Sequence, residues 1–102
     1  MDRVAMLTEI LTQNPNDAFA RYGLAMEYSN QGEVDKAMEE FGKLLSVHPD
    51  YTAGYFMAAQ ALARAQRVQE AKKMLSDGIV SAKRTGNSHA QSEMEGMLMD
   101  LE

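Results

Sequence analysis

The two prolines of this chain, Pro15 and Pro49, stand 34 residues apart, and the same interval runs through the rest of its 102 residues. Sliding the chain by that interval lays Ala25 on Ala59, Val34 on Val68 and Ala37 on Ala71. It also lays Tyr22 on Phe56, Phe41 on Leu75 and Leu45 on Ile79. Shifted the other way, Leu7, Ile10 and Leu11 fall on Phe41, Leu44 and Leu45. Small residues meet small ones, and large apolar residues meet large ones, along the whole register. A period of this length marks a stack of like units. Each unit is too small to bury a core alone and is completed by its neighbours.

Within each period the apolar residues recur at helical spacing, and the joints carry helix stop and start signals. Asn14-Pro15-Asn16-Asp17 and His48-Pro49-Asp50 end one helix and offer caps and early acids to the next. Gly32 stands where a helix must leave in a left-handed conformation, which costs glycine least. The pattern predicts six helices, at about 2–13, 16–30, 34–46, 52–65, 68–84 and 88–100. Val4, Leu7, Ile10 and Leu11 give the first helix one apolar face, as in the second member of a helix pair. The last helix carries Met94, Met97, Leu98 and Leu101 on one face and the wetter Ser92-Glu93 on another, as a closing helix requires. The chain therefore divides into a half repeat (1–14), two repeats (15–48 and 49–84) and a capping helix (85–102).

These residues together resemble the tetratricopeptide repeat. Leu24-Ala25, Tyr28, Gly32, Ala37, Phe41 and Pro49 fall at the offsets of that family, and the second copy keeps Tyr55, Ala58-Ala59, Leu62, Ala71 and Leu75. The second copy departs from the pattern at Gln66 for the turn glycine, Gly78 for a larger apolar residue and Lys83 for the proline. The first copy has Arg21 in an aromatic slot. The resemblance covers the whole chain. It implies an all-α solenoid of antiparallel helix hairpins in a right-handed superhelical stack. It also implies a protein–protein interaction adaptor or scaffold, not an enzyme, with ligands lying along the inner face formed by the first helix of each hairpin.

Projected onto that face, the second helix supplies Phe19, Tyr22, Met26, Ser29 and Asn30, and the fourth supplies Phe56, Met57, Gln60, Ala63 and Arg64. The sixth supplies Ala90, Gln91, Met94 and Met97. Ten of these form the expected binding set: Phe19, Tyr22, Met26, Asn30, Phe56, Met57, Gln60, Arg64, Met94 and Met97. Flexible methionines adapt to varied partners, and aromatics with arginine are common anchors at interfaces. The set suits an apolar peptide or amphipathic helix. The competing reading is that Tyr22, Met26, Phe56 and Met94 simply pack on neighbouring helices. Some tetratricopeptide proteins grip a C-terminal carboxylate with basic side chains on this face. The matching positions here are Tyr22, Met26, Met57, Asn87 and Gln91, none of them basic, so that type of ligand is not expected.

Other functions find little in the sequence. The net charge is −5, which disfavours nucleic acid. Residues 1–50 carry nine acids and four bases, residues 51–85 six bases and two acids, and residues 86–102 four acids and no base. The basic group Arg64, Arg67, Lys72, Lys73, Lys83 and Arg84 lacks interleaved aromatics. His48 and His89 have no neighbours at metal-ligand spacing and are expected to pack or cap, while Glu39-Glu40 and Glu93-x-Glu95 are expected on solvated helix faces. No cysteine, phosphate loop or nucleophile elbow is present. No metal, cofactor or catalytic residue is expected. No apolar run is long enough to span a membrane and no secretory signal opens the chain, so a cytoplasmic location is expected. The alternative function is self-assembly: the first helix lacks a pair partner, and the acidic–basic–acidic layout could favour staggered contacts between copies in a weak homodimer.

Overall fold

The computed structural model describes residues 2–102, and among these it contains six helices and no strand. They are α1 (Arg3–Gln13), α2 (Ala18–Asn30), α3 (Val34–Val47), α4 (Thr52–Arg64), α5 (Val68–Thr85) and α6 (Ser88–Leu101). Each expected helix is present, with ends displaced by local chemistry. Asp2 and Asp17 are N-caps, their carboxylates accepting from the backbone N–H of Ala5 and Ala20. That places Pro15 and Asn16 in the turn before α2, where the sequence pattern had already begun a helix. α3 ends at Val47, just before His48-Pro49. α5 has Lys83 where that proline would fall, so it runs on to Thr85 and stops at Gly86, φ +71°.

The first-to-second helix turns are closed by left-handed residues. Gly32 has φ +77° with nothing near its absent side chain, and Gln66 takes the same place in the second hairpin at φ +65°. Glutamine carries there the steric cost that glycine avoids. The backbone bonds are equivalent in the two turns: the N–H of Glu33 donates to Tyr28 O, and the N–H of Arg67 donates to Leu62 O.

Adjacent helices pack in sequence. In addition α2 touches α4 and α4 touches α6, whereas α1, α3 and α5 make no contact with one another. The first-type helices thus converge and the second-type helices splay, which makes the α2–α4–α6 side the inner one. Ala25, Ala37, Ala58, Ala59 and Ala71 are all 0% exposed, as close helix crossings require. Phe41 and Leu75 are equally buried between hairpins. Truncating Phe41 to alanine is expected to cost about 3–5 kcal/mol.

Two of the departures from the family pattern have physical causes in the packing. Gly78 lies in a close approach of three helices: a Cβ there would meet Met94 Sδ at 2.5 Å and Tyr55 Cβ at 2.6 Å. Arg21 replaces an aromatic by donating to Glu40 Oε1 at 2.7 Å and, through its other terminal nitrogen, to Pro15 O at 2.9 Å. Glu40 is therefore buried and paired, not solvated as the sequence suggested.

Candidate protein-binding face

The inner face is built by repetition of one helical spacing. Residues three and four apart share a side of a helix, so Phe19, Tyr22, Met26 and Asn30 follow one another along α2. The 34-residue register carries the same positions to Ala53, Phe56, Gln60 and Arg64 on α4. It carries them on to Asn87, Ala90, Met94 and α6's Leu98, which follows Met97. The slot nearest the helix N-termini therefore reads Phe, Ala, Asn across the three helices.

That alternation shapes the surface. Phe19 stands 73% exposed at the start of α2, the largest apolar ring left outside the core. Between α4 and α6, which have the smaller Ala53 and Asn87 in that slot, a cleft of about 240 Å³ opens. Phe56 and Met57 form its apolar wall, and Thr52, Ala90, His89 and Glu93 complete it. Tyr22 stacks at a tilt on Tyr51, centroids 5.3 Å apart, and meets Phe41 edge-on at 6.5 Å. Burial, helped by the nearby Tyr51 phenol, raises the Tyr22 pKa above the ordinary value. At the opposite end of the same face a second cleft of about 520 Å³ lies between the ends of α2 and α4. Arg64 crosses it and donates to Ser29 Oγ at 2.7 Å. A smaller cleft of about 200 Å³ lies away from this face, between the start of α2 and the end of α3. Its two cations, Arg21 and Lys43, are paired with Glu40.

The expected binding residues divide by accessibility. Phe19, Asn30 and Arg64 are exposed, and Tyr22, Met26, Phe56, Met57, Gln60 and Met97 are half-buried. Tyr22, Met26 and Met57 lean on the core of the first hairpin and its neighbour, and Phe56 and Met97 on that of the second. Met94 is corrected outright. It is 0% exposed, held against the Gly78 backbone and Tyr55, and offers no surface to a ligand. His89 also departs from expectation: its side chain is exposed, 3.3 Å from Glu93, and neither packs nor caps. His48 does tie two turns together, its Nε2 lying 2.9 Å from Asn16 O. The contribution of Ala53 and Thr52 to the first cleft was not anticipated, although the register places Ala53 in the slot of Phe19.

The basic group of the sequence is dispersed by ion pairs. Arg67 bridges Asp35 of α3 and Glu70 of α5. Lys73 pairs with Asp77, and Arg84 with Asp50, whose Oδ1 also accepts from the buried Ser81 hydroxyl at 3.0 Å. These hydrogen bonds hold the carboxyls of Asp50 and Glu70 below their ordinary range and push Arg67 and Arg84 further up. Among the described residues no group of three or more His, Cys, Asp or Glu is placed to hold a metal ion. No described helix is long and apolar enough to cross a membrane.

A family model described as tetratricopeptide repeat matches residues 31–90, and a second model of the same description matches residues 6–39. The chain belongs to the tetratricopeptide-repeat family. A TPR repeat-containing protein of Pseudomonas aeruginosa is 26% identical over 96 residues, covering 94% of this chain and 91% of its own. The solution structure of a tetratricopeptide repeat domain protein from Salinibacter ruber superposes with a TM-score of 0.79 at 28% identity, over 87% of this chain and 90% of that one. The TPR2B domain of yeast Sti1, solved as a pHsp70 complex, has a TM-score of 0.87 over 96% of this chain and 78% of that one. At 17% identity that last likeness is one of fold. Tetratricopeptide folds are in general protein–protein interaction modules, and this chain has that fold.

Proposed function

We propose that this chain is a protein-binding adaptor that takes an apolar peptide or amphipathic helix along its α2–α4–α6 face. The observation that carries the reading is an apolar inner face, with Phe19 exposed on α2 and a cleft walled by Phe56 and Met57 between α4 and α6. Covering the Phe19 ring with an apolar ligand group removes it from water and so favours binding. The cleft has room for about one large side chain of a ligand. Gln60 and Arg64 then supply polar contacts toward the second cleft, and Met26, Asn30 and Met97 complete the surface. The described residues are organised for this as the half repeat, two hairpins and capping helix of the register.

The face carries no cation at Tyr22, Met26, Met57, Asn87 or Gln91. An acidic C-terminal tail is therefore a poor ligand, and affinity comes from apolar burial. The test is fluorescence anisotropy with a panel of labelled peptides: amphipathic apolar helices, scrambled controls and acidic tails. The amphipathic members are expected to bind at about micromolar strength. A Phe56→Glu, Met26→Glu variant that keeps its helical signal should lose that binding, as should Phe19→Glu, whose ring lies outside the core. Equal binding by wild type and Phe19→Glu, or preference for the acidic tails, overturns the reading.

A further inference from the structure

We infer that α6 of one copy pairs with α1 of the next, so that two copies joined end to end complete a hairpin neither has alone. α1 is a second-type helix packed only on α2, and α6 is a first-type helix packed only on α5 and α4. Each internal hairpin buries an alanine on both of its helices, Ala25 and Ala37 in the first and Ala59 and Ala71 in the second, all 0% exposed. One further step of the register puts Glu93 in the slot of Ala25 and Ala59, and one step back puts Arg3 in the slot of Ala37 and Ala71. Two neutral small residues become opposite charges at the two open ends. Both side chains are about half exposed, Arg3 at 53% and Glu93 at 51%.

The volumes are complementary as well. Gly96 stands in the slot that Tyr28 and Leu62 occupy in the internal hairpins. That deletion on α6 leaves room for the added length of Arg3 on α1. Met6 and Ile10, which take the slots of the buried Glu40 and Leu44, remain 45% and 41% exposed on the open face of α1. Arg3 already holds Glu27 through Nε at 3.0 Å, and the guanidinium has further N–H donors for a second carboxylate. Any first-type helix packed on α1 must accept arginine where both internal hairpins use alanine. An acidic side chain at that slot, as on α6, answers the requirement. The contact is head-to-tail, so it extends into an open stack instead of closing as a symmetric pair.

Sedimentation equilibrium tests this with charge exchange. Wild-type chain is expected to show an average mass that rises with concentration. R3E and E93R should each weaken the association by about tenfold or more, because each sets like charges opposite one another. E93R leaves the Arg3–Glu27 pair intact, so its effect cannot come from loosening α1. An equimolar mixture of R3E and E93R should recover the rise, since both joints between unlike copies are again opposite in charge. A chain that stays monomeric to about 1 mM overturns the proposal. So does an association that both charge variants retain, including one removed only by M6S and I10S, which indicates α1 packed on α1.

Discussion

The thioether of Met94 lies against the backbone of Gly78, where even a methyl group would come within 2.5 Å of the sulfur. A glycine inside a helix is normally a weakness, and replacing it with alanine normally gains about 1 kcal/mol. Here the reverse is expected. Gly78→Ala should destabilise by about 1–3 kcal/mol in urea unfolding, because Met94 and Tyr55 Cβ must both shift. Met94→Ala costs stability alone, yet should recover part of the loss in the Gly78→Ala background. Strict additivity of the two changes would show that they do not share this space.

Gln66 gives the opposite sign. It holds φ +65° in the turn where the first hairpin has Gly32. Gln66→Gly should stabilise by about 1 kcal/mol, with an unchanged urea m-value. A loss of stability would mean that the glutamine side chain makes a compensating contact.

Arg21 and Glu40 bond across the first hairpin at 2.7 Å with little of either side chain in water. Removing the cation alone, Arg21→Met, is expected to cost about 2–3 kcal/mol by leaving the carboxylate poorly compensated. Replacing both with methionine should recover most of it. Thermal unfolding of the two single variants and the double variant measures the coupling directly.

Acid should weaken the fold through Asp50 and Glu70. Their folded-state pKa values are lowered by Arg84 with Ser81 and by Arg67, so the stability they add is present above about pH 4.5. It falls away as the pH drops through the lowered values. The melting temperature should stay level toward pH 5 and then decline, and Asp50→Asn should reduce the decline. A variant with the same acid profile as wild type would remove Asp50 from the account.

Much of this fold was legible in the chain because the 34-residue interval fixes which residue faces which. All six helices follow from it, and so do the buried alanines and Phe41. What it could not show is how a slot is filled when its usual occupant is missing. Arg21 in an aromatic slot looked like a blemish, and its partner Glu40 looked like one more solvated acid. Only their approach across the hairpin makes them a pair. Met94 failed for the same reason. Its spacing put it on the inner face, but the space opened by Gly78 on another helix drew it into the core. The cleft walled by Phe56 and Met57 was invisible because it opens at a small residue, Ala53, standing where α2 has Phe19.

Binding along the α2–α4–α6 face is read out residue by residue in nitrogen-15 NMR of the labelled chain during titration with an amphipathic apolar peptide. Shifts are expected to concentrate at Phe19, Tyr22, Phe56, Met57 and Arg64, to saturate together at one affinity and to be absent in Phe19→Glu. Shifts gathered instead on α3 and α5, or a Phe19→Glu chain that responds like wild type, would contradict binding along that face.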